Sequence, residues 1–195
     1  DKAIKMVKSK RIDGLLYVLF ANQITIFNRM VAPLFKRNNI AFVAIHTTSQ
    51  IPMNFHNVGY NTQKVGYLAI EHLIKLGHRK IGFISLDIKK LPLFKELVLG
   101  IKKAFADYRV NFNNCQIYYG TDSLIGYNTV KKLAKQNKLP TAFFCFNDYI
   151  ALSAIRGLEE LGVRVPQEVA IVGGTGLFNS PSLNKTMALQ ELTTV

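Results

Sequence analysis

Residues 140–172 read PTAFFCFNDYIALSAIRGLEELGVRVPQEVAIV. Two short apolar runs, 142–146 (AFFCF) and 169–172 (VAIV), flank a segment of helical periodicity. Within it Ile150, Ala154, Leu158 and Leu161 fall on one side, which predicts a helix over 149–161 with Gly162 as its stop. Apolar runs without alternation are what strands covered on both faces require. The stretch is therefore a strand–helix–strand unit, and such units build parallel sheets with helices on both faces.

Working outward, the same rhythm recurs. A helix is predicted over 61–76, carrying Val65, Leu68, Ala69, His72, Leu73 and Leu76 at helical spacing, with Gly77 as its stop. A strand follows at 81–85 (IGFIS), a helix at 93–108, a strand at 116–119 and a helix at 123–137 with Asp122 as N-cap. Toward the amino terminus, 15–20 (LLYVLF) and 41–45 (AFVAI) read as strands around a helix at 24–38. Residues 50–60 (QIPMNFHNVGY) break the rhythm and read as the linker and first crossover between two α/β lobes. Parallel sheets bind ligands at the carboxyl ends of their strands. The loops that matter are thus those after Phe20, Ile45, Ser85, Tyr119, Phe146 and Gly173.

Composition narrows the class. Of 195 residues, 49% are hydrophobic, with 13 glycines and six prolines, which is globular. The formal charge is +13, but the cations scatter in short clusters such as Lys8–Arg11, Lys89–Lys90 and Lys131–Lys132. Without aromatic–basic interleaving this reads as a lysine-rich surface rather than a single-strand-binding groove. The two cysteines, Cys115 and Cys145, form no CxxC pair and no disulfide framework, which fits a reducing compartment. Cys145 reads as a buried small apolar residue. No apolar run is long enough to span a bilayer, and residues 1–11 carry charge without the apolar centre of a signal peptide.

No catalytic constellation stands out. GxSxG and GxxxxGK[ST] are absent. Gly173-Gly174-Thr175-Gly176 follows a strand, but Leu177–Pro181 does not read as the helix a phosphate cradle needs, so a permissive loop is expected. His46, His56, His72 and His78 show no metal-ligand spacing; His72 reads as a core-edge residue, and His78, just past a helix end, as a partner of the helix dipole. Neither an enzyme activity, a metal nor a cofactor is expected. Asn147-Asp148 is the one polar pair at a strand end where a ligand belongs; Asp148 serves equally as an N-cap.

Two further segments complete a pattern. Residues 61–85 read NTQKVGYLAIEHLIKLGHRKIGFIS, and 192–194 read LTT. With 140–172, and IDGLL at 12–16, they resemble the effector domains of the lac/galactose repressor family of bacterial transcriptional regulators, in order and across essentially the whole chain. The resemblance implies an α/β fold of the periplasmic-binding-protein type I class: two Rossmann-like lobes with parallel sheets, a small molecule in the cleft, three crossovers between lobes. It implies a first lobe that is incomplete (1–58), a second at 59–190, and the start of a crossover back at 191–195. It further implies a cytoplasmic homodimer that senses a sugar or sugar-like metabolite and binds operator DNA through a headpiece not in this chain, controlling carbohydrate or related metabolic genes.

Carried onto this sequence, the family's ligand positions fall on His46, Leu97, Thr175 and Asn147. His46 and Thr175 stand where sugar-binding members place acids, and Leu97 where they place an arginine. Losing charge-assisted, bidentate readers leaves a less polar site, or one governed by a protein co-regulator. Phe20 and Phe146 fit either ring-stacking walls or core packing. The alternative functional reading is an extracytoplasmic solute-binding protein of a sugar transporter, which shares the fold; an α/β enzyme is a third.

Overall fold

The computed structural model describes residues 9, 12–19, 27–46, 56–175 and 193–194. It divides into two compact units, Asp1–Thr62 with Lys89–Glu96, and Gln63–Ile88 with Leu97–Val195.

The first unit carries a parallel sheet in the order β1-β2-β3: Gly14–Leu19, Ala41–His46 and His56–Gly59. Residues 56–59 were expected in a linker, and instead pair with Val43–His46. Short, fully exposed, with a single large apolar residue and ending in glycine, β3 has no periodicity to betray it. The helix expected over 24–38 appears as a π turn, Phe27–Val31, running into α1, Ala32–Arg37. Pro33 lacks an N–H, which disturbs the ordinary ladder just there. Leu19, Phe27, Phe35, Phe42 and Ala44 form the core on one face of the sheet. On the other face the paired residues Leu16 and Val18 of β1, Ile45 of β2 and Val58 of β3 are exposed.

The second unit holds a parallel sheet in the order β5-β4-β6-β7-β8: β4 Ile81–Leu86, β5 Cys115–Gly120, β6 Ala142–Cys145, β7 Ala170–Gly173 and β8 Thr193–Thr194. Thr193–Thr194, expected as the start of a return crossover, extends this sheet beside Val172–Gly173. Its helices are α2 (Thr62–Lys75), α3 (Pro92–Asp107), α4 (Ile125–Lys135) and α5 (Asp148–Glu159), α2 and α3 beginning within the first unit's residues. The chain moves outward from β4 to β5, then returns past β4 to β6 and continues to β7. Right-handed crossovers then place α3 on one face and α4 with α5 on the other. On the latter face Val130, Leu133, Ile150, Ala154 and Leu158 bury against Ile84, Phe143 and Cys145. On the former Phe83 and Phe144 stack at 5.0 Å.

The helices cross at glycines. A Cβ on Gly66 of α2 would strike the Leu97 carbonyl of α3, and one on Gly100 of α3 would strike the Gln63 carbonyl of α2. On the other face Gly126 of α4 lies against the Ile150 carbonyl, and a Cβ on Gly157 of α5 would come within 2.6 Å of Val130. Gly77 and Gly162, at φ +95° and +73°, end α2 and α5 as the sequence predicts. There the N–H of His78 bonds the Leu73 carbonyl, and that of Val163 bonds the Leu158 carbonyl. Helix α4 starts later than expected. Asp122 is not its cap but accepts the Leu124 N–H at 2.9 Å, making a turn ahead of the helix.

Candidate functional site

In the second unit the strand order reverses between β4 and β6. In parallel sheets such a switch point is where ligands are generally held, beyond the carboxyl ends of the strands, because the flanking helices leave on opposite faces. Four segments meet at this edge: Ser85–Asp87, Gly120, Phe146–Asp148 and Gly173–Thr175. The Phe146 N–H donates to the Ile84 carbonyl at 2.8 Å, and the Asp87 N–H to the Gly120 carbonyl at 2.8 Å, so the strand ends are tied across.

Asn147 is the N-cap of α5, its Oδ1 accepting the Ile150 N–H at 2.9 Å. The expected helix start at 149 lies one residue late, and Asp148 takes the first helical position. It is fully buried. Its Oδ1 accepts the Thr175 N–H at 3.3 Å, and its own N–H donates to the Thr175 Oγ1 at 3.3 Å. The carboxylate at a helix amino end is favoured by the dipole, and the pair joins the turn after β6 to the loop after β7. Gly174 completes the join: a Cβ there would stand 2.7 Å from the Phe146 carbonyl oxygen. With the Asn147 oxygen committed to the cap, the polar atom this side chain can still offer a ligand is its amide nitrogen, a donor.

Asn147, Asp148, Phe146 and Thr175 therefore lie together at one sheet edge. Phe146 is half-buried against the core under α5. Leu97 is buried, at 3% exposure, on α3. His46 ends β2 in the first unit, in register with Leu19 and Gly59. Phe20 lies outside the described residues. Sequence reasoning did not single out Ser85, which is fully buried and donates from Oγ to the Leu86 carbonyl at 3.0 Å. A lone hydroxyl closing the apolar run IGFIS was the available signal. Both cysteines are buried, and burial pushes the Cys115 thiol up to about 12; neither is a nucleophile at neutral pH. His78 bonds Thr141 Oγ1 through Nδ1 at 3.0 Å, and desolvation, with His72 nearby, lowers its pKa. It is thus less a dipole-stabilised cation than the sequence suggested.

The second unit is thus a doubly wound parallel sheet whose polar groups gather at its carboxyl edge, tied by a cap and backbone bonds. The chain belongs to the periplasmic binding protein-like domain family, whose model matches residues 70–195. It is 31% identical over 171 residues to the HTH-type transcriptional repressor PurR of Aliivibrio salmonicida, covering 87% of this chain and 50% of that protein. It is 33% identical over 178 residues to PurR of Actinobacillus pleuropneumoniae, covering 91% and 51%. The chain thus spans about half the length of the curated relatives it matches. Among solved structures it resembles a LacI family transcriptional regulator from Enterococcus faecium with bound ribose, at TM-score 0.70 and 18% identity, covering 99% of this chain and 78% of that one. The two curated relatives are named transcriptional repressors, and the motifs of 61–85 and 140–172 agree with them. Among the described residues no helix is long and apolar enough to cross a membrane.

Proposed function

We propose that this chain is the effector-sensing part of a cytoplasmic, DNA-binding transcriptional regulator of carbohydrate or related metabolic genes. The observation that carries the reading is the joined edge Asn147–Asp148–Thr175 at the topological switch point, in a chain whose relatives are named repressors. The effector is a sugar or sugar-like metabolite, read in part by the Asn147 amide nitrogen. His46, Thr175, Leu97, Phe20, Phe146 and Asp148 are the further candidate contacts. The regulator works as a homodimer, and operator DNA is bound through a headpiece outside this chain. Effector affinity that differs between two conformations supplies the coupling to DNA. The protein is not an enzyme, and the transporter reading is not favoured, since nothing but the fold supports it.

Deleting the gene in its host and profiling transcripts tests this. A small set of metabolic operons should change expression, and restoring the gene should reverse the change. An unchanged transcript profile, with loss of solute uptake instead, overturns the reading.

A further inference from the structure

The second unit has a crevice at the opposite, amino-terminal edge of its sheet. It is a cavity of about 360 Å³ entered between the segments that lead into β4, β5 and β6. Strand β4 separates it from the switch-point edge by about 17 Å. Lys80 comes from the approach to β4, Asn113 and Asn114 from the turn before β5, and Asn137 and Lys138 from the turn before β6. Ile81, Leu139 and Pro140 supply apolar wall.

The polar part of the lining consists of two lysines, a tyrosine and side-chain amides, all of which can donate hydrogen bonds. No carboxylate is among the lining residues. Neither the Lys80 nor the Lys138 ammonium pairs with a carboxylate among the described residues. At the rim the Tyr118 hydroxyl donates to the Gln116 Oε1 at 2.9 Å. That bond occupies the Gln116 oxygen and leaves its amide nitrogen as the free donor.

The frame is also fixed in advance. The Lys80 carbonyl accepts the Thr141 N–H at 3.2 Å and the Thr141 Oγ1 hydroxyl at 3.3 Å, tying the approaches to β4 and β6 together. Thr141 is held in turn, its carbonyl accepting the Ala170 N–H at 3.0 Å. Asn137 stands at φ +53°, and the Lys138 N–H bonds the Leu133 carbonyl at 2.9 Å, which sets the turn that brings Lys138 to the crevice. Lys80 and Lys138 both line this one concavity, so an anion there meets two cations. A cavity of this size matches a small ligand rather than a macromolecule.

We propose that this crevice binds a small phosphorylated metabolite, at a site separate from the effector edge, with Lys80 and Lys138 meeting the phosphate as point charges and the amides orienting it. The site does not depend on the regulatory reading above.

The test uses the full chain and inorganic pyrophosphate as the probe, titrated at constant ionic strength and followed by amide chemical shifts. Saturable shifts should centre on Lys80, Asn114, Asn137 and Lys138. The Lys80→Gln/Lys138→Gln pair should weaken binding at least tenfold, whereas Lys132→Gln, a lysine outside the crevice, should leave it unchanged. Both replaced side chains are exposed, so a matching thermal melt verifies the fold. Shifts that fail to saturate, that spread over all surface lysines, or that survive in the double variant overturn the proposal.

Discussion

Asp148 and Thr175 hold each other by two reciprocal bonds, backbone N–H to side-chain oxygen in both directions, each 3.3 Å long. Neither loop at the edge is thus set by its own local sequence alone. Thr175→Val should cost about 1 kcal/mol, because the buried Asp148 N–H loses its hydroxyl acceptor. Asp148→Ala should cost more, because the side chain is fully buried. In urea denaturation the double variant should fall short of the sum by about 0.5–1 kcal/mol. Strict additivity would mean that the two residues are not coupled.

Asn147 combines a cap with a possible reading role, and isosteric replacement separates them. Aspartate caps as well as asparagine, so Asn147→Asp should leave stability within about 0.5 kcal/mol, while Asn147→Ala should cost about 1 kcal/mol. An equal loss in both variants, measured by thermal melts, would show that the Ile150 N–H bond is not what Asn147 contributes.

Two glycine replacements distinguish crowding from backbone strain. Gly77→Ala meets nothing within 4 Å, so only its φ of +95° opposes it, at about 1–2 kcal/mol. Gly100→Ala would drive a methyl into the Gln63 carbonyl, and α2 and α3 must part, costing about 3 kcal/mol or more. Finding Gly77→Ala the worse of the two by chemical denaturation would contradict the close crossing.

Glu160 receives the Tyr127 hydroxyl at 2.6 Å, the Lys131 ammonium at 2.9 Å and the Arg156 Nε at 3.4 Å. These hydrogen bonds, that of Tyr127 foremost, push its carboxyl down to about 2 from an ordinary 4.5. A depressed folded-state pKa gives stability that is fully present above 4.5 and is lost as pH falls toward 2. The stability gap between the protein and Glu160→Gln should therefore shrink over that window and stay level from pH 5 upward. A gap unchanged down to about pH 2 would show that the clasp does not act through charge.

The helices, strands and stops of the second unit were legible because their periodicities are long and its glycines fall where helices end. IGFIS and AFFCF read as strands and became β4 and β6; Gly77 and Gly162 marked the ends of α2 and α5. What escaped was structure made by pairing rather than by pattern. His56–Gly59 is a strand only because β2 offers it an edge, and Thr193–Thr194 only because β7 does. At the candidate site, the sequence placed Asn147 and Asp148 at a strand end, but not which of them caps α5. Asn147 makes the cap, while Thr175, 27 residues away, engages the Oδ1 and the backbone N–H of Asp148.

The glycine crossings have a consequence for how such a domain can change. Gly66 with Gly100, and Gly126 with Gly157, are places where any larger residue collides with a neighbouring helix, so single substitutions there meet an immediate penalty. The carboxyl edge is mixed: Gly174 and the Asp148–Thr175 pair are as constrained as the crossings, whereas the cap that Asn147 supplies can be made by several short polar side chains. Mutational freedom at that edge is thus confined to positions such as the cap, and is withheld at Gly174, at Asp148 and where the layers meet. A domain of this construction can exchange one ligand for another by drift at its rim while its architecture stays put.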